Sequence, residues 1–456
     1  MHKSLIATLF ALLSLPAVAS ELVLETWRVE DATLWKEKIL PAFAAKHPDI
    51  KVSLHTIPSS DYDTQVQQLL ADGKAGDLIT CRPYDASLNL FKKGYLEDLT
   101  DFPGMENFPS FAKAAWQTDT GAQGFCLPVA SVIQGFYYNK TLFKEAGLEV
   151  PNTRDAFFAA LDKFKADGKV QPLALAAHDN WVVSELGYQN IGPNYWKGED
   201  GRIALIDGKA RFTDAAYRGV FEELARWHDY AGAAPADVTE GKAIELFTSG
   251  QAAVLPAGSW AISQLNGKVD YGVFPPPVAQ NGDNCFFTDH TDMGIGINSK
   301  SPNKEAAKVL LEWMSSAEFA ELYSNALPGF FSLSNHFFEL KDPIAQAMMS
   351  WRDRCDSTIR ISAQILSRGT PSFSDQLKET TQGVILGTLT PQAAVDQMQA
   401  GLDSWYLPQQ AAKEMVGQSC ATPAATPLPA SGAAPTTPVT ATTSAASPTS
   451  AAAPAQ

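Results

Sequence analysis

The alternation of apolar and polar positions divides the chain into strands and helices that follow one another in turn. LVLETW (22–27) reads as a strand, and the amphipathic stretch after it, to about Lys46, as a helix interrupted by Pro41. Ile50 to Ile57 alternates with period two, Asp61 to Ala71 is helical and ends at Gly73, and DLIT (77–80) is a short buried strand. Ala86 to Lys93 is helical and stops at Gly94. A long apolar crossing, GFCLPVASVIQGFYYNK (124–140), leads to a second unit of the same kind. In it Asn152-Thr153 caps a helix ending at Gly168, LALAAHDNW (173–181) follows, and residues 213–232 form another helix. In TSGQAAVLPAGSW (248–260) a run of small and aliphatic residues reads as a buried strand or a tight element that stops at Pro256. MGIGINSK (293–300) is a second crossing, Asn303 to Ser315 is helical, and the last third reads as helical to about Met415. Strands alternating with helices predict an α/β fold, a mostly parallel sheet with helices on both faces.

The two ends break this pattern. Residues 1–20 have an early Lys3, an apolar stretch from Leu5 to Leu15 and Ala-Val-Ala at 17–19, the three parts of a cleaved secretory signal peptide; the apolar stretch is too short to span a bilayer. Residues 421–456 carry no charge and are almost wholly Ala, Pro, Thr and Ser, a composition that cannot bury enough apolar surface to order itself. Roughly 400 residues lie between, enough for two lobes of ordinary domain size.

With 35 Lys and Arg against 50 Asp and Glu the chain is acidic, net −15, which argues against nucleic-acid or anionic-membrane partners. Five cysteines, Cys81, Cys126, Cys285, Cys355 and Cys420, are scattered without CxxC spacing, so no zinc or thioredoxin-like site is indicated. An exported chain can oxidise some of them; their connectivity is open, with Cys420 the natural odd one out.

Candidate chemistry gathers in the loops that follow strands, where open α/β sheets bind ligands. Trp27 to Asp31, Arg82 to Asp85, His178 to Trp181 and Gly258 to Trp260 each set an aromatic ring beside polar or charged groups. That mixture suits a sugar, whose C–H face packs on a ring while its hydroxyls meet planar donors and acceptors. Gly258 then reads as the place where the backbone approaches a ligand, and Trp260 as the platform for it. HExxH, GxSxG and P-loop patterns are absent. A secreted carbohydrate-active enzyme remains an alternative, since the acidic residues could supply a glycosidase pair. So does the same fold with a polyamine, metal or peptide as cargo. Tyr137-Tyr138 is similar to the paired tyrosines of ferric-iron binders, but strand alternation puts one ring on each face.

"IKV…Q…GDLIT", "LPVASVIQGFYYNK", "FTSGQAAVLPAGSW" and "GIGINSKSPNKEAAKVLLEWM" stand in one order and spacing over residues 21 to 415. Through them the chain resembles the bacterial ABC-transporter solute-binding proteins of the maltose-binding type, extracellular family 1. The resemblance implies two α/β lobes joined by crossing strands, residues 21–131 with 284–328 and 136–278 with 334–415, and a ligand held between them. It implies a monomeric, non-catalytic periplasmic protein without cofactor or bound metal, handing a mono- or disaccharide to ABC permease subunits in the membrane. Carried over by position, the sugar-stacking tryptophan matches Trp260, the aromatic after the first strand Trp27, and the acidic contact beside it Glu30 or Asp31. Arg82 and Asp85 match the position after the third strand, and Asp179, Asn180 and Trp181 the second-lobe loop. Asp292 matches the polar residue before the glycine-rich crossing. SRGTPSF resembles a ligand loop of the monosaccharide-binding branch and puts Arg368 near the cleft. Val132 and Leu377 stand where the maltodextrin-binding branch has an acidic and an aromatic residue, which favours a smaller sugar.

Overall fold

The computed structural model describes residues 20–419. The tail over 421–456, Cys420 and all but the last residue of the expected signal peptide lie outside the described residues. By its contacts the chain divides after Glu414, and the architecture below is that of the part up to this point. Beyond it, Met415 to Ser419 complete a helix that begins at Leu407. Among the described residues no helix is long and apolar enough to cross a membrane.

The alternating segments fold as their periods require. Strands β1 (Ser20–Thr26) and β2 (Ile50–Thr56) pair in parallel, and β3 (Leu78–Cys81) lies parallel on the other side of β1. The long crossing is β4 (Leu127–Asn139), buried along nearly all its length. β5 (Gln171–Leu173), β6 (Ala252–Gly258), β7 (Tyr271–Phe274), β8 (Phe286–Ile297), β9 (Phe331–Ser332) and β10 (Asp356–Thr358) follow. The strand order is β2-β1-β3-β8-β4-β6-β5, with β10 on β8 and both β7 and β9 on β4. Pairing is parallel at the two ends of this order and antiparallel around the crossing strands β4 and β8. The result is the expected two-lobed α/β fold.

The apolar core changes over along those crossings. One core holds Leu22, Leu78, Trp116 and β4 as far as Val132, together with Met293, Ile295 and Phe330. From Ile133 onward β4 packs into the cores of the second half, as do Phe287 on β8 and Phe331 on β9. The changeover falls where Val132 pairs with His290 and Ile133 with Asp289. The two disulfides, Cys81–Cys126 and Cys285–Cys355, stay on one side or the other: the first belongs to the core of β1 to β3, the second to that of Ile133 and Phe287.

Two prolines behave differently from the expectation. Pro41 does not interrupt its helix. A π turn at Trp35–Ile39, closed by Leu40 N–H to Trp35 O, absorbs the missing donor, and regular helix continues to Lys46. Pro256 does not end its strand either; it sits inside β6 opposite Phe136. β5 reaches only to Leu173 opposite Val254, so at Pro256 the strand has lost its second neighbour, the condition under which a strand tolerates proline. The last third is less helical than expected: β10 and an irregular stretch to Ser372 separate its helices.

Candidate functional site

A cleft of about 500 Å³ opens where the strand ends of both halves converge, within the size range of small-molecule sites. From the first half come Trp27, Glu30, Arg82 and Asp85; from the second, Asn180, Trp181 and Trp260; Asp292 enters from β8. These expected residues therefore share one cavity.

Trp260 owes its pose to its neighbours. β6 ends at Gly258, and Ser259–Ala261 form a single 3₁₀ turn. Ser259 is buried; its Oγ bonds Gly329 O and accepts from Ile133 N–H at 3.0 Å, tying this turn to β4. The indole folds back over the glycine: a Cβ on Gly258 would lie 2.0 Å from its Cζ3. Gly258 is thus required by the ring of Trp260 itself, not by a ligand's approach to the backbone, which corrects the expectation. Trp260 Nε1–H donates to Glu240 Oε1 at 2.9 Å, and Trp181 stands 6.5 Å away, tilted by 39°. Both rings are partly exposed in the cleft.

Three expected residues turn away from it. Asp31 is buried and takes Arg28 Nε–H at 2.5 Å, so it anchors a cleft arginine instead of lining the cavity. Asp179 accepts the backbone N–H of Glu240 at 2.8 Å and fixes the start of the helix that carries that carboxylate. Arg368 reaches across to Asp85 at 2.8 Å and Asp119 at 2.6 Å. Trp27 does line the cavity but is only 4% exposed, with the Arg82 guanidinium 4.4 Å over its ring; that face is already taken.

The structure adds residues that the sequence did not single out. Arg28 is wedged between Asp31 and the Phe330 ring, 4.5 Å below it, and its Nη2 has no hydrogen-bond partner among the described residues. Glu185 lies in a π turn, Val183–Tyr188, and gathers Gln134 at 3.0 Å, Gln189 at 2.9 Å and Arg360 at 3.1 Å. His290 Nδ1 faces the carbonyl of Thr291 at 2.9 Å, so Nδ1 carries the proton and Nε2 is an acceptor. Tyr84 holds φ at 61° and Gln364 at 63°, both in the left-handed region that non-glycine residues avoid. Two strained residues on one cavity are what a built site shows.

Burial sets the protonation states. It pushes the Asp292 carboxyl above its ordinary value, against the pull of Arg28, Arg360 and Arg82. It raises Glu240 likewise, against the Trp260 hydrogen bond and Arg28. His290 is held well below its ordinary value by burial and by Arg360, and is neutral. Burial works against the charge of Arg360, but Glu185 and Asp292 outweigh it.

Among the described residues no group of three or more His, Cys, Asp or Glu side chains is arranged to hold a metal ion. Tyr137 is fully buried, its hydroxyl donating to Gly258 O at 3.0 Å, so it packs and does not join Tyr138 in a ligand pair. The cleft can therefore offer flat apolar faces, carboxylates and guanidinium groups from both sides to a polar guest.

Residues 27–321 match the model of the bacterial extracellular solute-binding proteins. The chain is 25% identical over 307 residues to the multiple sugar-binding protein of Streptococcus mutans, a match that covers 64% of this chain and 70% of that one. It is 22% identical over 284 residues to the melibiose/raffinose/stachyose-binding protein MelE of Bacillus subtilis, covering 61% and 66%. The solved structure of the binding protein RafE in complex with raffinose superposes with a TM-score of 0.70 at 20% identity, covering 84% of this chain and 99% of that one, a likeness of fold.

Proposed function

The chain belongs to the bacterial extracellular solute-binding proteins, and from that we propose that its cleft captures a mono- or disaccharide and delivers it to the membrane permease of an ABC importer. The lobes in this reading are residues 21–131 with 284–328 and 136–278 with 334–415. The protein works as a monomer in the periplasm after loss of residues 1–20, and releases its sugar unaltered. The two relatives named above carry sugars in their names, which supports the ligand class.

One observation carries the reading. Trp260 is neither sealed in a core nor loose on the surface; Gly258 and Glu240 hold it at a cavity whose lining also includes carboxylates, guanidiniums and amides. A sugar ring lies on such a platform while Asp292, Asn180 and Arg28 meet its hydroxyls. Because the walls come from both lobes, only the closed form makes every contact, and the sugar draws the lobes shut by that difference in affinity.

A thermal-shift screen against mono- and disaccharides tests this. A ligand present at a hundred times its Kd adds about 2.7 kcal/mol to apparent stability. We expect one or more sugars to raise the melting temperature and Trp260→Ala to remove the rise while leaving a cooperative transition. A panel without any rise, or a rise that survives Trp260→Ala, overturns the assignment.

A further inference from the structure

The charges that line the cleft are not evenly matched. Each lining cation already has a carboxylate partner: Arg28 with Asp31, Arg82 with Asp63, Arg360 with Glu185 and Lys378 with Asp375. Glu240, Asp292 and Glu30 form no ion pair among the described residues. An acidic sugar would find every lining cation already facing a carboxylate, and its own charge would add to the three unpaired carboxylates.

The carboxylates left over differ in their surroundings. Arg28, Arg360 and Arg82 all act on Asp292 and offset part of the cost of its burial, which suits it to accept hydroxyls. Around Glu240 cations are fewer and carboxylates more numerous. Glu30 and Asp179 add negative charge, and the one opposing cation is Arg28, already held by Asp31. Beside Glu240 stand two indoles, Trp260 bonded to it through Nε1–H at 2.9 Å and Trp181 6.5 Å further on. Indole faces attract cations as carboxylates do.

A separate observation says that the guest is also an acceptor. Arg28 is 9% exposed, and its Nη2, shielded from solvent, has no hydrogen-bond partner among the described residues. An unmade bond on a buried guanidinium is costly, and a hydroxyl oxygen would satisfy it. A simple polyamine has no such oxygen.

Resting on the reading of the cleft as a sugar site, we propose that its solute is a sugar bearing a protonated amine, with the ammonium seated between Glu240, Glu30 and the Trp181–Trp260 pair. The hydroxyls then turn to Arg28 and Asp292, and the sugar face covers Trp260. The bound cation offsets the like charge that Glu30 and Asp179 place around Glu240.

Calorimetric titration with matched sets tests this at neutral pH and low salt: glucosamine, glucose and glucuronate, then galactosamine, galactose and galacturonate. We expect at least one amino sugar to bind about tenfold or more tighter than its neutral parent, the scale of a desolvated charge pair, and the uronates to bind least. Glu240→Gln keeps an oxygen for Trp260 Nε1–H and should bring the ratio of amino to neutral affinity close to one. A neutral sugar that binds as well as its amine, or a preferred uronate, overturns this inference alone. Absence of binding by every sugar of these sets and of the mono- and disaccharide thermal-shift panel overturns the sugar reading and this inference with it.

Discussion

Gly258 shows how far a single residue can be read in advance. A glycine before a tryptophan announces a close approach, and the approach is real, but its partner is the tryptophan's own ring, 2.0 Å from where a Cβ would stand. Sequence spacing cannot tell a ring that folds back from a ligand that comes in. Gly258→Ala should push the indole off its seat, cost about 1–3 kcal/mol of stability as overpacking does, and weaken sugar binding about tenfold. Chemical denaturation and titration of the same sample separate the two effects, and an unchanged affinity would mean that the indole is not the platform. His290 was invisible for another reason: its value lies in being buried and neutral, which no sequence pattern reports. The unfolded chain takes up a proton at this histidine near pH 6.5 and the folded one does not, so the unfolded state binds more protons and stability rises with pH. On acidification from about pH 7 to 5 the protein should lose up to about 1.4 kcal/mol per pH unit more than His290→Asn does. Denaturant midpoints of the two proteins across that range measure the difference; parallel curves would mean that His290 titrates in the folded state.

At the scale of elements, the first half was legible because its strands and helices carry clean periods. β2 alternates between inward and solvent-facing positions as expected, and the helix over Tyr62–Asp72 ends at Gly73. What escaped was irregular backbone that brings residues to the cleft. Glu185 sits in a π turn, whose wider spacing lets one carboxylate meet Gln134, Gln189 and Arg360 together; helical periodicity alone hides this. Arg360 lies between β10 and the turn at Gln364, in a stretch whose apolar content reads as helix. The Cys285–Cys355 bond anchors the chain just before β10, where it pairs with β8, so the segment that presents Arg360 is held at its root. The same holds for Asp31 and Asp179. Each occupies a site-like position in the sequence, yet each spends its oxygens on a neighbour, a buried arginine in one case and a helix start in the other. Which carboxylate faces the cavity and which supports it is decided by side-chain geometry two or three residues wide, finer than the pattern of a loop.

For the molecule as a whole, the question is what holds the lobes at the distance seen. Among the described residues, β4, β8 and the stretch through Phe330 and Phe331 pass between the two sets of cores. Across the opening, Arg368 spans from the late loop to Asp85 and Asp119, which draws the Asp119 carboxyl below its ordinary range. Arg368 was expected near the cleft as a ligand residue; from its ion pairs with Asp85 and Asp119 we predict that it acts as a latch on closure. The latch is partly solvated, so it is worth no more than about 1 kcal/mol and is screened by salt. That is enough to matter, because the affinity of a closing protein falls with the fraction of molecules already able to bind. Arg368→Ala should therefore enlarge the ligand-free protein in solution scattering and leave the sugar-bound radius as it was. It should weaken binding by up to about fivefold at low ionic strength, and the gap between the two proteins should close as salt is added. A ligand-free radius identical in both proteins would show that Arg368 joins side chains but does not govern the opening of the cleft.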